Sequence, residues 1–485
     1  MSNKPNIVYI LADDQGYGDV SCLNESSRIH TPNLDRLAAD GLICRDAHAT
    51  SAVCTPSRYG ILTGRYNWRS WRKESVNDGY EKPLIERDRT TVASFLKLHG
   101  YRTGCVGKWH LGWTWPTNSD ERTDVDFRRP IQDGPCDVGF DTFFGISASL
   151  DMAPYVYVED DTPTAVPDRI TPAQENGSMG FWRGGPIAPD FDHAEVLPKL
   201  TEKAVEFIDA SSSGDSPFFL YFPLPAPHTP ILPTKQFQGV SGTNAYGDFC
   251  VQVDDVVGQV MQALERQGAT ENTVVVFTAD NGCSPMADFG GLAEFGHHPS
   301  YVFRGAKADI YEGGHRIPLI VRWPQRIAAG SVSDETVCLV DLLATCADIV
   351  GDDLPDNAAE DSVSNLPVWD GESMDRSLRE ATVHHSIDGS FSIRKGKWKL
   401  EMCPGSGGWS YPRPGEESDG LPPMQLYDLD TDIGERENVV DKHPEVVEEL
   451  TELLTQYVRN GRSTPGAPQS NAGGNSWRQL WWMEG

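Results

Sequence analysis

The sequence contains no run of about 20 apolar residues, the length that a membrane-spanning helix requires. It also lacks the pattern of a signal peptide, because "MSNKPNIVYILADD" enters a strand-like run almost at once, without a basic segment or a small-residue cleavage site. We therefore expect no membrane partner and a cytoplasmic protein. The alternative is a periplasmic or secreted protein whose signal segment has been removed.

Basic residues are scarce, since 41 Lys and Arg stand against 71 Asp and Glu, giving a net charge of −30. Nucleic-acid binding depends on lysine and arginine that neutralise phosphates, so the composition argues against a nucleic-acid partner. The same charge repels an anionic substrate at long range. Such a substrate would need a local cluster of cations, or a saline medium that screens the field.

Paired cysteines are also absent, because none of the ten cysteines forms a C-x-x-C motif. This removes the usual patterns of zinc sites and of thioredoxin-like redox sites. If Cys54 has a separate task, the remaining number is odd, which disfavours a complete set of disulfides and favours a reducing compartment.

Strand-like runs such as "NIVYILADD", "PFFLYFP" and "NTVVVFTADNG" alternate with helical patterns such as "TPNLDRLAADG", which has a threonine at the cap and proline at the first position. This alternation is typical of an α/β fold with a large, mainly parallel central sheet flanked by helices. After an acidic stretch come two strand-like runs and the amphipathic segment "HPEVVEELTELLTQYV". We predict a catalytic domain at 1–375 and a smaller α+β C-terminal domain, built on a short antiparallel sheet, at 376–485. Its last segment is expected to wrap the domain and to dock through its tryptophans.

Polar residues follow several of the predicted strands where those strands end. Ligands in parallel α/β sheets bind beyond the carboxyl ends of the strands, so these residues are expected at one edge. Carboxylate and amide oxygens suit a hard divalent cation, and an all-protein oxygen cage favours calcium modestly over magnesium. For one acidic pair alone, helix capping or simple solvation is the alternative. The predicted metal ligands of this kind are Asp13, Asp14, Asp280 and Asn281.

A second group adds positive charge and proton-transfer capacity at the same edge. A lone histidine is more often a surface or packed core residue than a catalyst, but "GKWHLG" and "PAPHTP" hold theirs in glycine- and proline-bounded loops at strand exits. Together with two lysines they indicate an anion-binding hydrolytic site. Its residues are Lys108, His110, His228 and Lys307.

Cys54 precedes Pro56, which suits the first turn of a helix. The thiol would then lie near the positive end of that helix, where anions are favoured and where the pKa of a thiol falls. Arg58 adds a fixed cation in the same turn.

"CTPSRYGILTGR" resembles the signature of the type I sulfatase family, the formylglycine-dependent, arylsulfatase-like enzymes of the alkaline phosphatase superfamily. The resemblance covers most of the chain, in family order. The other matching segments are "NIVYILADDQGYGDV", "GKWHLG", "APHTP", "TADNG", "GAKADIYEGGHRIPLI" and "QLYDLDTDIGERENVV".

The resemblance implies that a maturation enzyme converts Cys54 to formylglycine, whose hydrate supplies the nucleophile and one calcium ligand beside the four oxygen donors above. Arg58 would orient the diol and Lys108 would hold the sulfate oxygens. His110 would take a proton from the second hydroxyl so that sulfate is expelled. His228 and Lys307 would bind the ester and protonate the leaving alcohol.

The predicted substrate is a small sulfate ester or a sulfated sugar of galactose or N-acetylgalactosamine type. We expect the enzyme to act on a sugar at the end of its chain. Aromatic and polar residues in loops such as "KWHLGWTW" and "GFWRGGP" suit a sugar, although packing of long loops explains them equally well. The alternatives are a phosphonate or phosphate diester hydrolase on the same fold, or a non-catalytic carbohydrate-binding relic. The predicted substrate-binding residues are Ser149, with Ser147 as a competitor, Asp151, Arg183 and His193.

Overall fold

The computed structural model of the protein describes residues 4–175, 179–372 and 377–483. Its strands are β1 (Asn6–Ala12), β2 (Leu42–Cys44), β3 (Ala47–His48), β4 (Arg102–Lys108), β5 (Thr142–Ile146), β6 (Val158–Glu159), β7 (Thr162–Pro163), β8 (Arg169–Thr171), β9 (Gly185–Ile187), β10 (Phe218–Pro223), β11 (Thr273–Ala279), β12 (Leu319–Arg322), β13 (Ser331–Ser333), β14 (Val337–Cys338), β15 (Thr382–His385), β16 (Phe391–Lys395), β17 (Trp398–Glu401) and β18 (Gln425–Asp428). Its α-helices are α1 (Pro32–Ala39), α2 (Cys54–Thr63), α3 (Val92–Leu98), α4 (Val196–Ser212), α5 (Ala245–Arg266), α6 (Phe289–Glu294), α7 (Glu312–His315), α8 (Leu342–Val350), α9 (Leu366–Trp369) and α10 (Pro444–Asn460).

Ten strands form the central sheet, in the order β13-β2-β12-β11-β1-β10-β4-β5-β6-β7. The five neighbouring strands β11, β1, β10, β4 and β5 run parallel to one another. On the other side of β11, β2 and β13 have the same direction as β11, and β12 is antiparallel to it. A parallel sheet is covered on both faces, so its strands are apolar almost without interruption. β10 is buried along its whole length, which accounts for "FFLYFP". The predicted fold class is confirmed.

The helices around this sheet form two groups, each packed within itself. In one group, α5 packs against α1 and α4, and α4 contacts β10 and β4. In the other, α8 packs against α2 and α3. The predicted threonine cap of α1 is not made, because the Thr31 hydroxyl instead accepts a hydrogen bond from the backbone N–H of Ser21 at 3.0 Å. No helix among the described residues combines the length and the apolar character needed to cross a bilayer.

The small sheet is antiparallel, in the order β15-β16-β17-β18, and α10 packs on β16 and β17. Leu450, Leu454 and Val458 of α10 are buried against this sheet, as the amphipathic pattern predicts. The terminal segment docks by its tryptophans: the Trp482 indole donates to Thr455 Oγ1 at 3.2 Å. The predicted domain boundary at 375/376 falls outside the described residues and stays a prediction.

The small sheet is tied to the loop that leads into α2. The backbone N–H of Ala52 donates to His385 O at 2.9 Å, and Ser51 forms a bridge with His385. Buried Lys399 of β17 lies 2.6 Å from Glu435 and 3.3 Å from Glu312 of α7. Buried charges are tolerated only when they are paired in this way, and the pairing joins β17 of the small sheet to α7.

Candidate active site

The two oxygen-donor pairs meet where β1 and β11 end. These strands are parallel neighbours, with Ala12 opposite Ala279, so the residues that follow them come together. The backbone N–H of Asp280 donates to Ala12 O at 3.1 Å, and that of Asp14 donates to Asp280 Oδ1 at 3.3 Å. Asn281 Nδ2 donates to Asp14 Oδ1 at 2.7 Å. The sequence prediction that these four side chains share one site agrees with the geometry.

Each of the three carboxylates is paired with one buried cation. Lys108 Nζ lies 2.6 Å from Asp13 Oδ2, and Lys307 Nζ lies 2.6 Å from Asp14 Oδ1. The third pair joins Arg58 to Asp280 Oδ2 through two hydrogen bonds, at 2.7 and 2.9 Å. Burial opposes ionisation of Asp13, but Lys108, His228 and Arg58 hold the pKa of its carboxyl well below its usual range. Burial and the neighbouring Asp13 raise the pKa of Asp280 to about 6. The cluster therefore matches three carboxylates with three cations.

Two oxygens of this cluster have no hydrogen-bond donor among the described residues. They are Asp13 Oδ1 and Asn281 Oδ1, and both are buried. A buried acceptor without a donor is costly, and a cation bound between these two oxygens would remove that cost. The ligating atoms of Asp13, Cys54 and Asp280 lie within 4.8 Å of one another, as do those of Asp13, Asp14 and His228. The residues present fit a hard divalent cation such as calcium.

Cys54 is the first residue of α2, and Pro56 is the third, where a missing N–H leaves no helical hydrogen bond unmade. The predicted helix start is thus correct. The predicted fall in the thiol pKa is wrong: burial raises the pKa of Cys54, and the opposing effects of Lys108 and Lys307 do not compensate. The unmodified residue is a neutral thiol, which is a poor nucleophile.

The two predicted histidines lie beside this cluster, and each has one ring nitrogen on a backbone carbonyl. His110 Nε2 is 2.8 Å from Asn77 O, while its Nδ1 is buried without a partner among the described residues. His228 Nδ1 is 2.6 Å from Thr229 O, and its Nε2 is 3.6 Å from Asp14 Oδ2. Burial lowers the pKa of both rings, helped by neighbouring lysines. The contact with Asn77 fixes the proton of neutral His110 on Nε2 and leaves Nδ1 able to accept one.

A cavity of about 510 Å³ opens above these groups. Ser149 lies in its wall and accepts a hydrogen bond from Lys108 Nζ at 3.1 Å. Its competitor Ser147 does not line the cavity, which favours Ser149 as the substrate-binding serine. Asp151 and Arg183 form an ion pair in the same wall. The predicted residues that line the cavity are Cys54, His110, Ser149, Asp151, Arg183, His228 and Lys307.

Among the predicted substrate-binding residues Ser149, Asp151, Arg183 and His193, it is His193 that does not line the cavity. Its ring stacks on Trp182, with the centroids 4.7 Å apart, and contacts Tyr155 at 4.5 Å. Burial lowers its pKa to about 4. Trp113 and Trp115 of "KWHLGWTW" are likewise buried and pack edge to face. The alternative of loop packing is therefore correct for these aromatic residues, and His193 is removed from the site.

Sequence reasoning also missed part of the cavity wall. Ile387 and Trp409, which follow the predicted domain boundary, line the cavity together with Ser75 and Met286. Trp409 lies in "GSGGWSYPRPG", a glycine- and proline-rich loop with exposed aromatic residues between two strands. That composition could have indicated a loop of the binding site, because loops of this kind present side chains to ligands.

A second cluster, of His48, His315 and His384, is buried between β3, α7 and β15. The rings of His315 and His384 stack with their centroids 4.0 Å apart and their planes within 3°. An imidazole lone pair lies in the plane of its ring, so two stacked parallel rings cannot both direct a lone pair at one ion. We interpret this cluster as packing between the two sheets.

The histidine cluster predicts a loss of stability in acid. Burial and neighbouring His48 hold the pKa of His384 well below its usual 6.5. Protons then bind preferentially to the unfolded chain, so the stabilisation is complete above about pH 6.5 and falls by up to about 1.4 kcal/mol per pH unit below it. In melting experiments between about pH 7 and pH 5, His384→Gln is expected to reduce the acid-induced fall in Tm. His30→Gln, at an exposed position, is the control and should retain the full fall. Equal slopes for both variants would contradict the assignment.

Residues 5–351 match a family model described as Sulfatase. This chain belongs to the sulfatase family. As a sulfatase it is a sulfuric ester hydrolase, and the resemblance noted from the sequence motifs is confirmed. The sulfatase is 36% identical over 496 residues to an N-acetylgalactosamine-6-O-sulfatase of Bacteroides thetaiotaomicron, with 93% of each chain covered. It is 33% identical to human arylsulfatase A, with coverage of 93% of this chain and 87% of that protein.

Solved structures agree with this assignment. A Bacteroides thetaiotaomicron sulfatase, studied in connection with the metabolism of multiple glycosaminoglycans, superposes with a TM-score of 0.83 at 34% identity. The superposition covers 94% of this chain and 99% of that one.

Proposed function

We propose that this sulfatase removes sulfate from a sulfated carbohydrate of galactose or N-acetylgalactosamine type, acting at a chain end, with a formylglycine at position 54 and a calcium ion. The observation that carries the proposal is the cavity of about 510 Å³ whose inner end holds Cys54 among three carboxylate–cation pairs. The similarity to a relative named N-acetylgalactosamine-6-O-sulfatase supports this class of sugar.

The size and charge of the site favour a chain end over a long polymer. A cavity of this volume is in the range of small-molecule sites and suits a single sulfated sugar. The net charge of −30 repels an extended polyanion along the rest of the surface.

The calcium ion would be held by the oxygen donors of the two strand ends, two of which are buried without a donor. When bound, it supplies a fixed positive charge next to the sulfate oxygens. Because the three carboxylates and three cations cancel, a divalent ion gives the site a net positive charge. That excess matches an anionic sulfate ester. The ligands would be Asp13, Asp14, Asp280 and Asn281, together with the hydrate at position 54.

Formylglycine at position 54, made by a maturation enzyme, would supply through its hydrate one hydroxyl to attack sulfur and a second that would let the carbonyl re-form. Arg58 holds this end of α2 against Asp280 and Lys108 O, which fixes the orientation of the residue. His110 Nδ1 accepts the proton of the second hydroxyl as sulfate leaves, because its Nε2 proton is engaged by Asn77 O.

The remaining polar residues bind the ester on either side of the sulfur. Lys108 and Ser149, which contact one another at 3.1 Å, would donate hydrogen bonds to the sulfate oxygens. His228 and Lys307 line the cavity on the side of the bridging oxygen. Lys307 donates to that oxygen as a cation, so that the alcohol leaves in its neutral form, whereas His228, whose Nδ1 proton is engaged by Thr229 O, donates from Nε2 only when its ring is protonated. Asp151 and Arg183 are available for sugar hydroxyls farther out.

A substrate panel tests the proposal. The protein is co-expressed with a maturation enzyme, and conversion of Cys54 is verified by a mass about 18 Da lower in its peptide. Monosulfated N-acetylgalactosamine and galactose are then compared with an internally sulfated polymer and a phosphate diester. We expect turnover to be fastest on the monosaccharides. Faster hydrolysis of the diester would replace the reaction class, and activity only within the polymer would overturn action at a chain end.

A further inference from the structure

Trp409 is a large aromatic side chain in the wall of the catalytic cavity, and it comes from the part of the chain that carries the small sheet. Its side chain is 44% exposed although it lies beside buried catalytic residues. An exposed large aromatic ring inside a cavity is informative, because cavity walls with such rings bind ligands with an apolar face. None of the catalytic or metal-binding roles proposed above involves this ring.

The loop that carries Trp409 is held by one buried carboxylate. Asp309 Oδ1 accepts hydrogen bonds from the backbone N–H groups of Trp409 at 2.8 Å and Ser410 at 2.9 Å. Asp309 Oδ2 accepts from the N–H of Ala306, the neighbour of Lys307, at 2.8 Å. A single side chain therefore joins the Trp409 loop to the segment that carries a catalytic lysine.

Two further contacts fix the same pair of segments. The backbone N–H of Ile310 donates to Ser406 O at 2.7 Å. A Cβ atom on Gly408 would lie 2.4 Å from Ala308 O, so the two backbones approach more closely than any other residue allows. The ring of Trp409 is thus held in position before the substrate arrives, which reduces the entropy lost on binding.

The rest of the outer wall complements this ring. Phe181 and Met286 are apolar, and Arg183 lies with its guanidinium 5.2 Å from the Phe181 ring centre while it pairs with Asp151. The outer part of the cavity therefore combines aromatic surface with one charged pair. A sugar ring has this duality, since its axial C–H bonds form an apolar face and its hydroxyls point outward.

We propose that Trp409 contacts the sugar ring of the substrate and sets its binding affinity, and that Asp309 is a positioning residue for it. The inference rests on the proposed carbohydrate substrate and adds a binding residue from the small-sheet part of the chain.

The test compares the wild type with Trp409→Ala and Trp409→Phe on N-acetylgalactosamine 6-sulfate, with formylglycine content verified in each. Loss of an aromatic contact should raise KM about tenfold in Trp409→Ala and leave kcat within about threefold, while Trp409→Phe retains most of the affinity. Trp481→Ala is the matched control, because Trp481 is similarly exposed but lies outside the cavity. Its KM should not change.

The outcomes separate this inference from the proposed function. An unchanged KM in Trp409→Ala, with normal turnover of the sugar by the wild type, would overturn the inference and leave the proposed function standing. If the wild type hydrolyses 4-nitrophenyl sulfate but no sulfated sugar, the substrate class is wrong and the inference falls with it.

The role of Asp309 is tested by a double-mutant cycle. An asparagine has one acceptor oxygen, so Asp309→Asn cannot accept from both segments at once. We expect it to raise KM, and to raise it no further when Trp409 is already alanine, because both changes act through one ring. Additive effects on KM would remove Asp309 from the inference, whereas loss of stability alone would appear as a lower Tm with KM unchanged and would also overturn its role.

Discussion

Cys54→Ala is expected to abolish sulfate-ester hydrolysis while the protein remains folded. The side chain is the precursor of the proposed nucleophile, so its removal should lower kcat by at least about 10⁴-fold. The folding cost is small, because alanine occupies the first position of α2 and only the buried sulfur is lost, at about 1 kcal/mol. The measurement is turnover of a sulfated monosaccharide, with circular dichroism and a melting curve to verify the fold.

The control for this variant is Cys346→Ala, which removes an equally buried thiol from α8, away from the cavity. It should lose a similar amount of stability and keep full turnover. Wild-type protein expressed without a maturation enzyme should behave like Cys54→Ala, because burial raises the pKa of the thiol and leaves it neutral. Substantial turnover by protein with an unmodified Cys54 would contradict the formylglycine proposal.

The position of the site was predictable because it depends on local sequence and on one rule of parallel sheets. "ADD" and "ADNG" each end a strand that reads as buried, and parallel strands bring such ends to one edge. Nothing more was needed to group Asp13 with Asp280. The same rule brought Lys108 to this edge, as the last residue of β4.

The parts that could not be predicted depend on packing between distant segments. The sequence shows that Cys54 begins a helix, but the pKa of its thiol follows from complete burial, which the chain reveals only when folded. His193 and Trp409 are both aromatic residues in segments that the sequence predicts as loops. One is buried against Trp182 and the other faces the cavity, because Asp309, far away in sequence, holds the second loop in place.

Removal of calcium is expected to abolish turnover and to lower the Tm without unfolding the protein at room temperature. The three carboxylates keep their cation partners Lys108, Lys307 and Arg58 when no metal is bound, so the charges stay paired. A metal that binds only the folded state at 100 times its Kd adds about 2.7 kcal/mol of stability. Titration of chelator-treated protein, followed by calorimetry and by Tm, measures this directly.

Asn281→Ala sharpens that experiment, because it removes one of the two buried oxygens that lack a donor and leaves every carboxylate in place. We expect it to weaken calcium binding about 100-fold, which corresponds to about 2.7 kcal/mol, and to recover turnover only at correspondingly higher calcium. Asn365→Ala removes another buried amide, outside the cavity, and should bind calcium normally. Magnesium should restore less of the Tm than calcium does, because it requires a tighter octahedral site. Normal calcium affinity in Asn281→Ala would show that Asn281 is not a ligand and that calcium binds elsewhere. The proposal that calcium gives this site the positive charge that attracts sulfate would then be wrong.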